Sequence, residues 1–338
     1  MRAMLEVRDN SNRAARNSTS PRFVTPSEVE AALGLEDLIE PVSRAFQAYS
    51  CGRAHNEMIS LHPLRDRTAG DVLVKAATLE GSTVFVVKVA PWFAANVADG
   101  KPQGGLVAAF NALTGHTIAL IDDQHRISDL RTAAAGALAA RVLAPATVES
   151  AAVLGSGTQA YWQTMALHRE RPFDRLYIWA RDERKARRLG GRISQRLPHL
   201  TIQYVGAETA VRQSDVIITA TGAREPIVRG DWLHEGQHIT AIGADDATKC
   251  ELDATTLQRS RVLVDEIKLA TETGDVHAAI ARGQYRADLL AGELGEVLAG
   301  RKMGRQSESE ITVATLSGLG VQDIAAVEVL LRKMGEKT

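Results

Sequence analysis

Two acidic residues and a lysine follow a short apolar run in the second half of the chain. The segment reads AIGADDATKCELD over residues 241–253, with Asp245 and Asp246 after a glycine and Lys249 three residues beyond them. In a parallel sheet, the loop after a strand lies at the carboxyl edge, where ligands bind. A carboxylate there can transfer a proton or stabilise an iminium cation. We therefore predict a catalytic role for Asp245 and a cofactor or substrate contact for Lys249, whereas Asp246 reads as part of a solvated loop.

Three cations outside this segment indicate an anionic ligand. Lys75 and Lys88 each lie within an apolar, strand-like run, VLVKAA and FVVKVA. A lysine among apolar neighbours is costly unless it is paired or bound to an anion. Arg131, in SDLRTAAAG, lies near the start of an Ala-rich helix, where the helix dipole disfavours a cation. We predict that these three residues bind a substrate carboxylate, although Lys75 could equally be an edge-strand lysine that reaches solvent.

A glycine-rich turn predicts dinucleotide binding. The segment GSGTQA over residues 155–160 matches the pattern G-x-G-x-x-G/A, follows an apolar strand-like run and opens a helical pattern. The first glycine permits a tight turn, and the second lets the backbone approach a pyrophosphate at the positive end of the helix. The cofactor-binding residues predicted in this turn are Gly155, Gly157, Thr158, Gln159 and Ala160.

The neighbouring strand ends bear on which dinucleotide is bound. The second strand ends in Trp179-Ala180-Arg181-Asp182. Arg181 is placed to meet a 2′-phosphate, which favours NADP(H), but Asp182 could bind a ribose hydroxyl, so that NAD(H) stays possible. Small residues that end the fourth and fifth strands, Thr219, Thr221 and Gly243, would let the nicotinamide ribose lie close.

The bulk composition excludes several classes of protein. The 338 residues carry a net charge of −1, with 45 % hydrophobic and 24 % charged residues, as in soluble globular proteins. This balance predicts neither a nucleic-acid nor a membrane partner. The two cysteines, Cys51 and Cys250, are too far apart in sequence for a metal-binding spacing. We expect a reducing, cytoplasmic compartment, no metal, and a flexible tail over residues 1–22.

Two kinds of sequence pattern divide the chain. Residues 24–50 have helical periodicity, and short strand-like runs follow between about 55 and 125, with a hairpin turn over 111–115. After a long Ala-rich helix, strands and helices alternate from residue 151, which is typical of a doubly wound parallel sheet. The last 28 residues read as strand, glycine turn and helix, and this segment could return to the first part of the protein.

Several of these segments together resemble the ornithine cyclodeaminase/μ-crystallin family. They occur in the expected order, and the likeness covers nearly the whole chain after residue 25. The segments are VKVAPWFAANVADGKPQGG, DLRTAAAGALAARVLA, VLGSGTQA, IGADDATKCELD, ELGEVLAGRKMGR and ITVATLSGLGVQDIAAVEVL. The stretch VLVKAATLEGSTVFVVKVAPWFAAN is most similar to the branch associated with ectoine breakdown and iminosuccinate reduction, which also carries a lysine at the Lys75 position.

The resemblance implies an α/β fold and an assignment of domains. A Rossmann-type doubly wound parallel sheet, over residues 129–314, would pack on a split α+β domain. This second domain would be built from residues 23–128 and 315–338, and would serve substrate binding and dimerisation. Family members are typically dimers, so a homodimer is expected.

The resemblance also implies roles for individual residues. Lys88 and Arg131 would bind the substrate carboxylate, and Asp245 would be the catalytic acid/base. Residues around the cofactor would be Thr132, the turn 155–160, Thr221, Lys249 and Ser317. Two departures from the family pattern stand out: NEMISLHPL offers no carboxylate-binding arginine, and Val72-Leu73-Val74 has no acid to meet a distal amine.

These observations predict NAD(P)H-dependent reduction of a small 2-imino acid to an amino acid. Lys88 would support catalysis by holding the carboxylate beside Asp245. Redox-neutral cyclodeamination, which forms proline and ammonia from ornithine, is an alternative within the family. A non-catalytic NAD(P)H-binding protein is an alternative of another class.

Overall fold

The computed structural model describes residues 20–66, 69–99, 101 and 103–336. Residues 1–19 of the predicted tail therefore lie outside the described residues. The first strand begins at Arg22, whose guanidinium forms ion pairs with Glu28 and Glu336.

One sheet is built from the first part of the chain. Its six strands have the order β1-β6-β5-β4-β3-β2, and all neighbours are antiparallel except β1 and β6. The strands are β1 (Arg22–Val24), β2 (Ala54–Leu61), β3 (Gly70–Leu79), β4 (Val84–Phe93), β5 (Leu106–Asn111) and β6 (Thr117–Ile121). A hairpin turn over 111–115 joins β5 to β6, as the sequence predicts.

The second sheet has eight strands, all parallel, in the order β13-β12-β14-β11-β10-β7-β8-β9. They are β7 (Ser150–Leu154), β8 (Arg175–Trp179), β9 (Thr201–Tyr204), β10 (Val216–Thr219), β11 (His238–Ala241), β12 (Arg261–Val264), β13 (Gly292–Glu293) and β14 (Thr312–Thr315). The predicted α/β fold with a doubly wound parallel sheet is confirmed. The carboxyl ends of β7, β10, β11 and β14 lie side by side, because these strands are neighbours in register.

Twelve helices surround the two sheets in the described residues. They are α1 (Pro26–Ala32), α2 (Ile39–Ser50), α3 (Ala94–Ala98), α4 (Arg126–Leu143), α5 (Thr158–Glu170), α6 (Glu183–Arg196), α7 (Ala207–Arg212), α8 (Ala254–Gln258), α9 (Ile267–Glu272), α10 (Gly274–Ala281), α11 (Leu294–Leu298) and α12 (Gly320–Lys333). Single 3₁₀ turns occur at Gly230–Trp232 and Ala287–Leu289.

The helical region predicted over residues 24–50 is two helices rather than one. Helix α1 ends at Ala32, and Leu33 is extended. Gly34 follows, and its backbone N–H donates to the Asp37 carboxylate over 2.8 Å. Such a local side-chain bond competes with helical hydrogen bonding, and glycine lowers the helix propensity further.

The two sheets meet through α4 and α12. Both helices are almost fully buried: α4 contacts α2, α5 and α12, and α12 contacts β3 and β4 as well. Helix α12 directly follows β14, so the chain passes from the parallel sheet to the inner face of the first sheet within five residues. Residues of both sheets therefore approach each other around the turn between β14 and α12.

Candidate functional site

The glycine turn lies at the carboxyl end of β7 and opens α5. Gly155 has φ +134°, and a Cβ there would run into the carbonyl oxygen of Ala220, so only glycine fits. Gly157 is exposed, and a Cβ on it would meet nothing within 4 Å. Its backbone therefore borders open space beside Thr158, the first residue of α5, where backbone N–H groups and the helix dipole favour an anion. The turn fits the pyrophosphate of a dinucleotide.

The remaining residues of the turn join α5 to α4. Ala160 is buried, whereas the Gln159 amide donates to the Asp129 backbone carbonyl over 3.3 Å and to its carboxylate over 3.1 Å. Gln163, one helical turn later, donates to the Thr132 carbonyl over 2.9 Å. Thr132 thus lies beside the first turns of α5, on the helix that also carries Arg131.

Arg181 follows the carboxyl end of β8 and is exposed. Asp182 is the N-cap of α6, and its carboxylate accepts the Arg184 N–H over 2.9 Å. Because one Asp182 oxygen already accepts this capping bond, Arg181 has more hydrogen-bonding capacity left for a ligand than Asp182 has.

A buried ion cluster lies between β3, β4, α4 and α12. Lys75 and Lys88 are cross-strand partners, and each is 3 % exposed, whereas Arg131 is 6 % exposed. The Lys88 ammonium donates to Asp323 over 2.8 Å and to the Ser128 hydroxyl over 2.9 Å. The Arg131 guanidinium lies 3.4 Å from the same Asp323 oxygen. Asp323 is therefore the anion that the two cations require.

In this cluster, burial and ion pairing shift the pKa values in opposite directions. Burial lowers the pKa of Lys88, and Asp323 opposes this shift. For Asp323 itself, burial raises the pKa, but Lys88 and then Arg131 more than offset it, so its pKa lies below the usual value. The ion pair thus favours the charged form of both partners, in opposition to burial.

Three buried polar atoms at this cluster have no hydrogen-bond partner among the described residues. They are Arg131 Nε, Gln322 Nε2 and the second carboxylate oxygen of Asp323. The side-chain carbonyl oxygen of Gln322, by contrast, accepts from Arg131 over 3.0 Å and from the backbone N–H of Leu319 over 2.8 Å. Buried polar atoms without hydrogen-bond partners are uncommon in folded proteins, so the two donors and one acceptor mark a place where a polar ligand is expected.

Lys75 is bound to the turn between β14 and α12. Its ammonium donates to the carbonyl oxygen of Gly318 over 2.5 Å and to that of Ser317 over 3.3 Å. Burial lowers the pKa of Lys75 to about 7, and Arg131 and Lys88 add to this shift. Gly318 has φ +85°, and a Cβ there would meet the Arg131 guanidinium. The turn is thus fixed between the cations.

The Asp245 loop lies at the carboxyl end of β11. Asp245 pairs with Lys249 over 2.5 Å, and both side chains are partly exposed. Burial lowers the pKa of Lys249, but Asp245 and then Asp246 more than offset this, so the pKa is raised and the lysine stays charged. The Asp246 carboxylate accepts the backbone N–H groups of Thr248 and Lys249 over 2.6 and 3.0 Å, so it shapes the loop.

The β14–α12 turn connects this loop to the cation cluster. The Ser317 hydroxyl lies 3.4 Å from that of Thr273, and the next residue, Gly274, donates its N–H to the Asp246 carbonyl over 3.0 Å. The loop and the cations also interact electrostatically, because Asp245 opposes the lowering of the Lys75 pKa. The structure therefore gathers Asp245, Lys249, Ser317 and the three cations around one turn.

Sequence reasoning missed three acids around this site. Asp323 and Glu251 are fully buried. Asp71 lies at the start of β3, and burial raises its pKa, whereas the charge of Lys249 opposes this increase. Glu251 accepts hydrogen bonds from Thr219, Thr221 and Gly243, all three of which were predicted to line the cofactor crevice. Thr219 itself is 0 % exposed, with its hydroxyl directed to Glu251. An aspartate in the apolar pattern GVQDIAAVEVLL was the one available signal for Asp323.

Two further surveys cover only the part of the chain that the structure describes. Within it, no group of three or more His, Cys, Asp or Glu side chains is arranged to hold a metal ion. None of its helices combines the length and the apolar character that crossing a bilayer requires.

Comparisons with known proteins agree with this fold and identify the family. An uncharacterized cyclodeaminase of Sinorhizobium fredii is 34 % identical over 320 residues, which covers 94 % of this chain and 97 % of the relative. The structure of Thermococcus litoralis Delta(1)-pyrroline-2-carboxylate reductase in complex with NADH and L-proline superposes with a TM-score of 0.88, at 28 % identity, over 94 % of this chain and 99 % of that one. An archaeal alanine dehydrogenase dimer with bound NAD gives a TM-score of 0.86 at 31 % identity, over 93 % and 95 % of the two chains. Residues 20–338 match the sequence profile of the ornithine cyclodeaminase/mu-crystallin family, and the chain belongs to that family.

Proposed function

We propose that the protein is an enzyme that reduces a small 2-imino acid to an amino acid with a nicotinamide dinucleotide. The observation that carries this proposal is the pair of buried cations, Lys88 and Arg131, with unpaired polar atoms beside them and Asp245 nearby. An imino acid requires a site that binds its carboxylate beside an acid that can transfer a proton to its nitrogen.

The dinucleotide is assigned to the crevice along β7, β10 and β11. The turn 155–160 would hold the pyrophosphate, and Thr132, Thr221, Gly243, Lys249 and Ser317 would surround the nicotinamide half. When bound, the nicotinamide supplies the hydride for the imine carbon. A role in binding NADH is supported by the pyrroline-2-carboxylate reductase complex, which shares the fold.

The protein side chains have separate roles in binding the substrate and in transferring the proton. Lys88 and Arg131 bind the carboxylate and so fix the orientation of the C=N bond. Asp245, as the carboxylic acid, gives the nitrogen the proton that it gains as the carbon is reduced, and the carboxylate that results is held in place by its ion pair with Lys249. Lys75 holds the β14–α12 turn against the substrate, and it is the third cation available to an anionic group.

The proposal is tested by following NADH and NADPH absorbance with purified protein and a panel of imino acids. The panel contains pyrroline-2-carboxylate, piperideine-2-carboxylate, and pyruvate or oxaloacetate with ammonia or methylamine. Oxidation of the cofactor with at least one member is expected. If no member is reduced while ornithine releases ammonia without net cofactor turnover, the proposal gives way to cyclodeamination.

The second glycine of the turn offers a direct test of the cofactor site. We expect Gly157→Ala to fold like the wild type, since its Cβ meets no protein atom within 4 Å. It should weaken dinucleotide binding about tenfold or more, because a misplaced methyl at a close contact costs about 1–3 kcal/mol. Fluorescence titration with NADH measures the effect. Gly155→Ala is the contrasting variant, and it should lower the melting temperature instead.

We propose that NADP(H) is accepted and favoured, with Arg181 facing the 2′-phosphate. Replacing this exposed arginine by glutamine should weaken NADPH binding about tenfold, since hydrogen bonds to charged groups contribute about 1.5–3 kcal/mol. NADH binding should be unchanged, because it lacks that phosphate. Equal losses for both cofactors would contradict the assignment of Arg181.

We propose that the first sheet forms the interface of a homodimer. Lys75, Lys88 and Val107 face the core, so the alternate residues of the same strands face outward. Ile59 and Val89 are 57 % and 38 % exposed, and Val74 and Leu106 lie in the same cross-strand row. An apolar sheet face of this kind marks an interaction surface. The archaeal alanine dehydrogenase relative is a dimer.

Ile59→Glu should therefore yield a monomer, because dimerisation would bury an unpaired carboxylate. The isolated chain should tolerate the change, since the side chain is already exposed. Sedimentation velocity measures the outcome. Leu113→Glu is the control, because Leu113 is 95 % exposed in the hairpin turn and lies off the sheet face. A dimer that both variants retain would place the interface elsewhere.

We also propose the domain assignment that the sequence suggests, residues 23–128 with 315–338 and residues 129–314. It is supported by the division of the strands, which lie between residues 22 and 121 in one sheet and between 150 and 315 in the other.

A further inference from the structure

Glu251 is a fully buried carboxylate beneath the proposed cofactor crevice. One of its oxygens accepts the backbone N–H and the hydroxyl of Thr221, both over 2.7 Å. The other accepts the backbone N–H of Gly243 and the hydroxyl of Thr219, both over 2.8 Å. The side chain thus joins the carboxyl ends of β10, the neighbour of the strand that carries the glycine turn, and β11, the next strand beyond it.

One of these four contacts, the one from Gly243, closes the loop that carries Asp245. The loop follows β11 and comes back to its own start at Glu251, and the hydrogen bond from the Gly243 N–H to the Glu251 carboxylate ties its two ends together. Asp245 and Lys249 lie within it. The space is tight, because a Cβ on Gly243 would collide with the backbone of Thr221. A shift of Glu251 would therefore move the Asp245 loop and the Thr221 strand end relative to each other.

The backbone of Glu251 is itself held in place. Its N–H donates to Asp275 over 2.6 Å, and its carbonyl oxygen accepts from Ile227 and Val228 over 2.8 and 3.0 Å. Asp275 is 2 % exposed and also accepts the N–H of Leu252. The carboxylate is consequently presented from a fixed point, as expected of a residue whose task is to position others.

We infer that Glu251 is a positioning residue, which sets the Asp245 loop against the cofactor crevice by joining Thr221 to Gly243. This inference rests on the proposed dinucleotide-dependent reaction. Glu251 acts through these two residues and does not touch the reacting atoms itself. Each oxygen of Glu251 accepts one backbone N–H, and a backbone N–H can only donate. Both side-chain positions must therefore be acceptors, which makes the role specific to a carboxylate.

Glu251→Gln is the informative variant. Whichever way its amide is placed, the NH₂ group faces the N–H of Thr221 or of Gly243, so one strand end must move. We expect the Kd for NADH to rise about tenfold or more, and kcat to fall by a similar factor. The KM for the imino acid should stay within about twofold, because Lys88, Arg131 and Asp323 do not contact Glu251. A purely structural role would lower the melting temperature and leave the Kd at 20 °C unchanged.

Asp215→Asn is the matched control on the opposite edge of the same sheet. One carboxylate oxygen of Asp215 accepts two backbone N–H groups and the Ser150 hydroxyl, all within 3.0 Å. Its replacement should lower stability yet leave the Kd for NADH unchanged. An Asp215→Asn variant that weakens NADH binding as much as Glu251→Gln does would overturn the inference.

Thr219→Val decides the question if Glu251→Gln does not fold. Valine matches the shape of threonine and removes only the hydroxyl donor to Glu251, so the fold should survive, and a several-fold weaker NADH affinity is expected. Unchanged NADH affinity in Thr219→Val, or in a folded Glu251→Gln, overturns the role of Glu251. A wild-type protein that binds neither NADH nor NADPH would instead refute the proposed function, which keeps the two failures distinct.

Discussion

Asp245→Asn should lower kcat about 10²- to 10⁴-fold, the usual contribution of a positioned general acid or base. Asparagine keeps the size of the side chain but can neither hold nor release the proton in question. The ion pair with Lys249, 2.5 Å long in the wild type, is lost as well. The affinity for NADH should change little, because Asp245 lies outside the glycine turn. Steady-state rates and NADH titration measure the two effects separately.

The neighbouring acid provides the control for this variant. Asp246 accepts two backbone N–H groups of its own loop, and asparagine can accept the same bonds. Asp246→Asn should therefore retain nearly the wild-type kcat. If Asp245→Asn also turned over at nearly the wild-type rate with cofactor bound, Asp245 would not handle the proton.

Local sequence signals were sufficient to place the glycine turn between a strand and a helix. Gly155 and Gly157 follow a strand and precede a helix, and the structure explains each of them by its own surroundings. Asp245 could be placed at the carboxyl edge because the strand before it is short, apolar and part of an alternating α/β pattern. In these cases the physical cause lies within a few residues of the position.

Long-range partners could not be predicted in the same way. Lys88 and Arg131 were expected to need an anion, but the partner, Asp323, lies 235 residues after Lys88. It faces them only because β14 is inserted between β11 and β12 and directs α12 onto the first sheet. Local periodicity in the sequence does not determine the order of strands in a sheet. Lys75 illustrates the same limit, because its two acceptors are main-chain carbonyl oxygens. Every residue has such a carbonyl, so the types of the side chains cannot identify these partners.

Glu251 was missed for a different physical reason. It lies in CELD, a polar segment without periodicity, where a solvated loop is the ordinary expectation. The structure buries it because the chain folds back against the carboxyl ends of β10 and β11 there, and the carboxylate satisfies the donors of these two strand ends. A charged residue in a loop can thus be part of the core, and only the tertiary structure distinguishes the two cases.

Asp323→Asn should lower the free energy of unfolding by about 3–5 kcal/mol, the usual cost of removing one partner of a buried ion pair. Lys88 and Arg131, 3 % and 6 % exposed, would remain in the core without their counter-ion. Burial already lowers the pKa of Lys88, and Asp323 opposes that shift. The Lys88 ammonium of the variant should therefore lose its proton at a lower pH than that of the wild type.

The chemical consequence follows from the sign of this shift. A neutral Lys88 cannot attract a carboxylate, so the KM for the imino acid should begin to rise with pH at a lower pH in Asp323→Asn than in the wild type. Urea unfolding and the pH dependence of KM measure the two effects. Glu183→Gln is the control for stability, because its pair with Arg187 is exposed and contributes about 0.3–0.5 kcal/mol. If both variants lost equally little stability, the Asp323 cluster would not hold its charges in the core, and Lys88 would need another anion to remain protonated there.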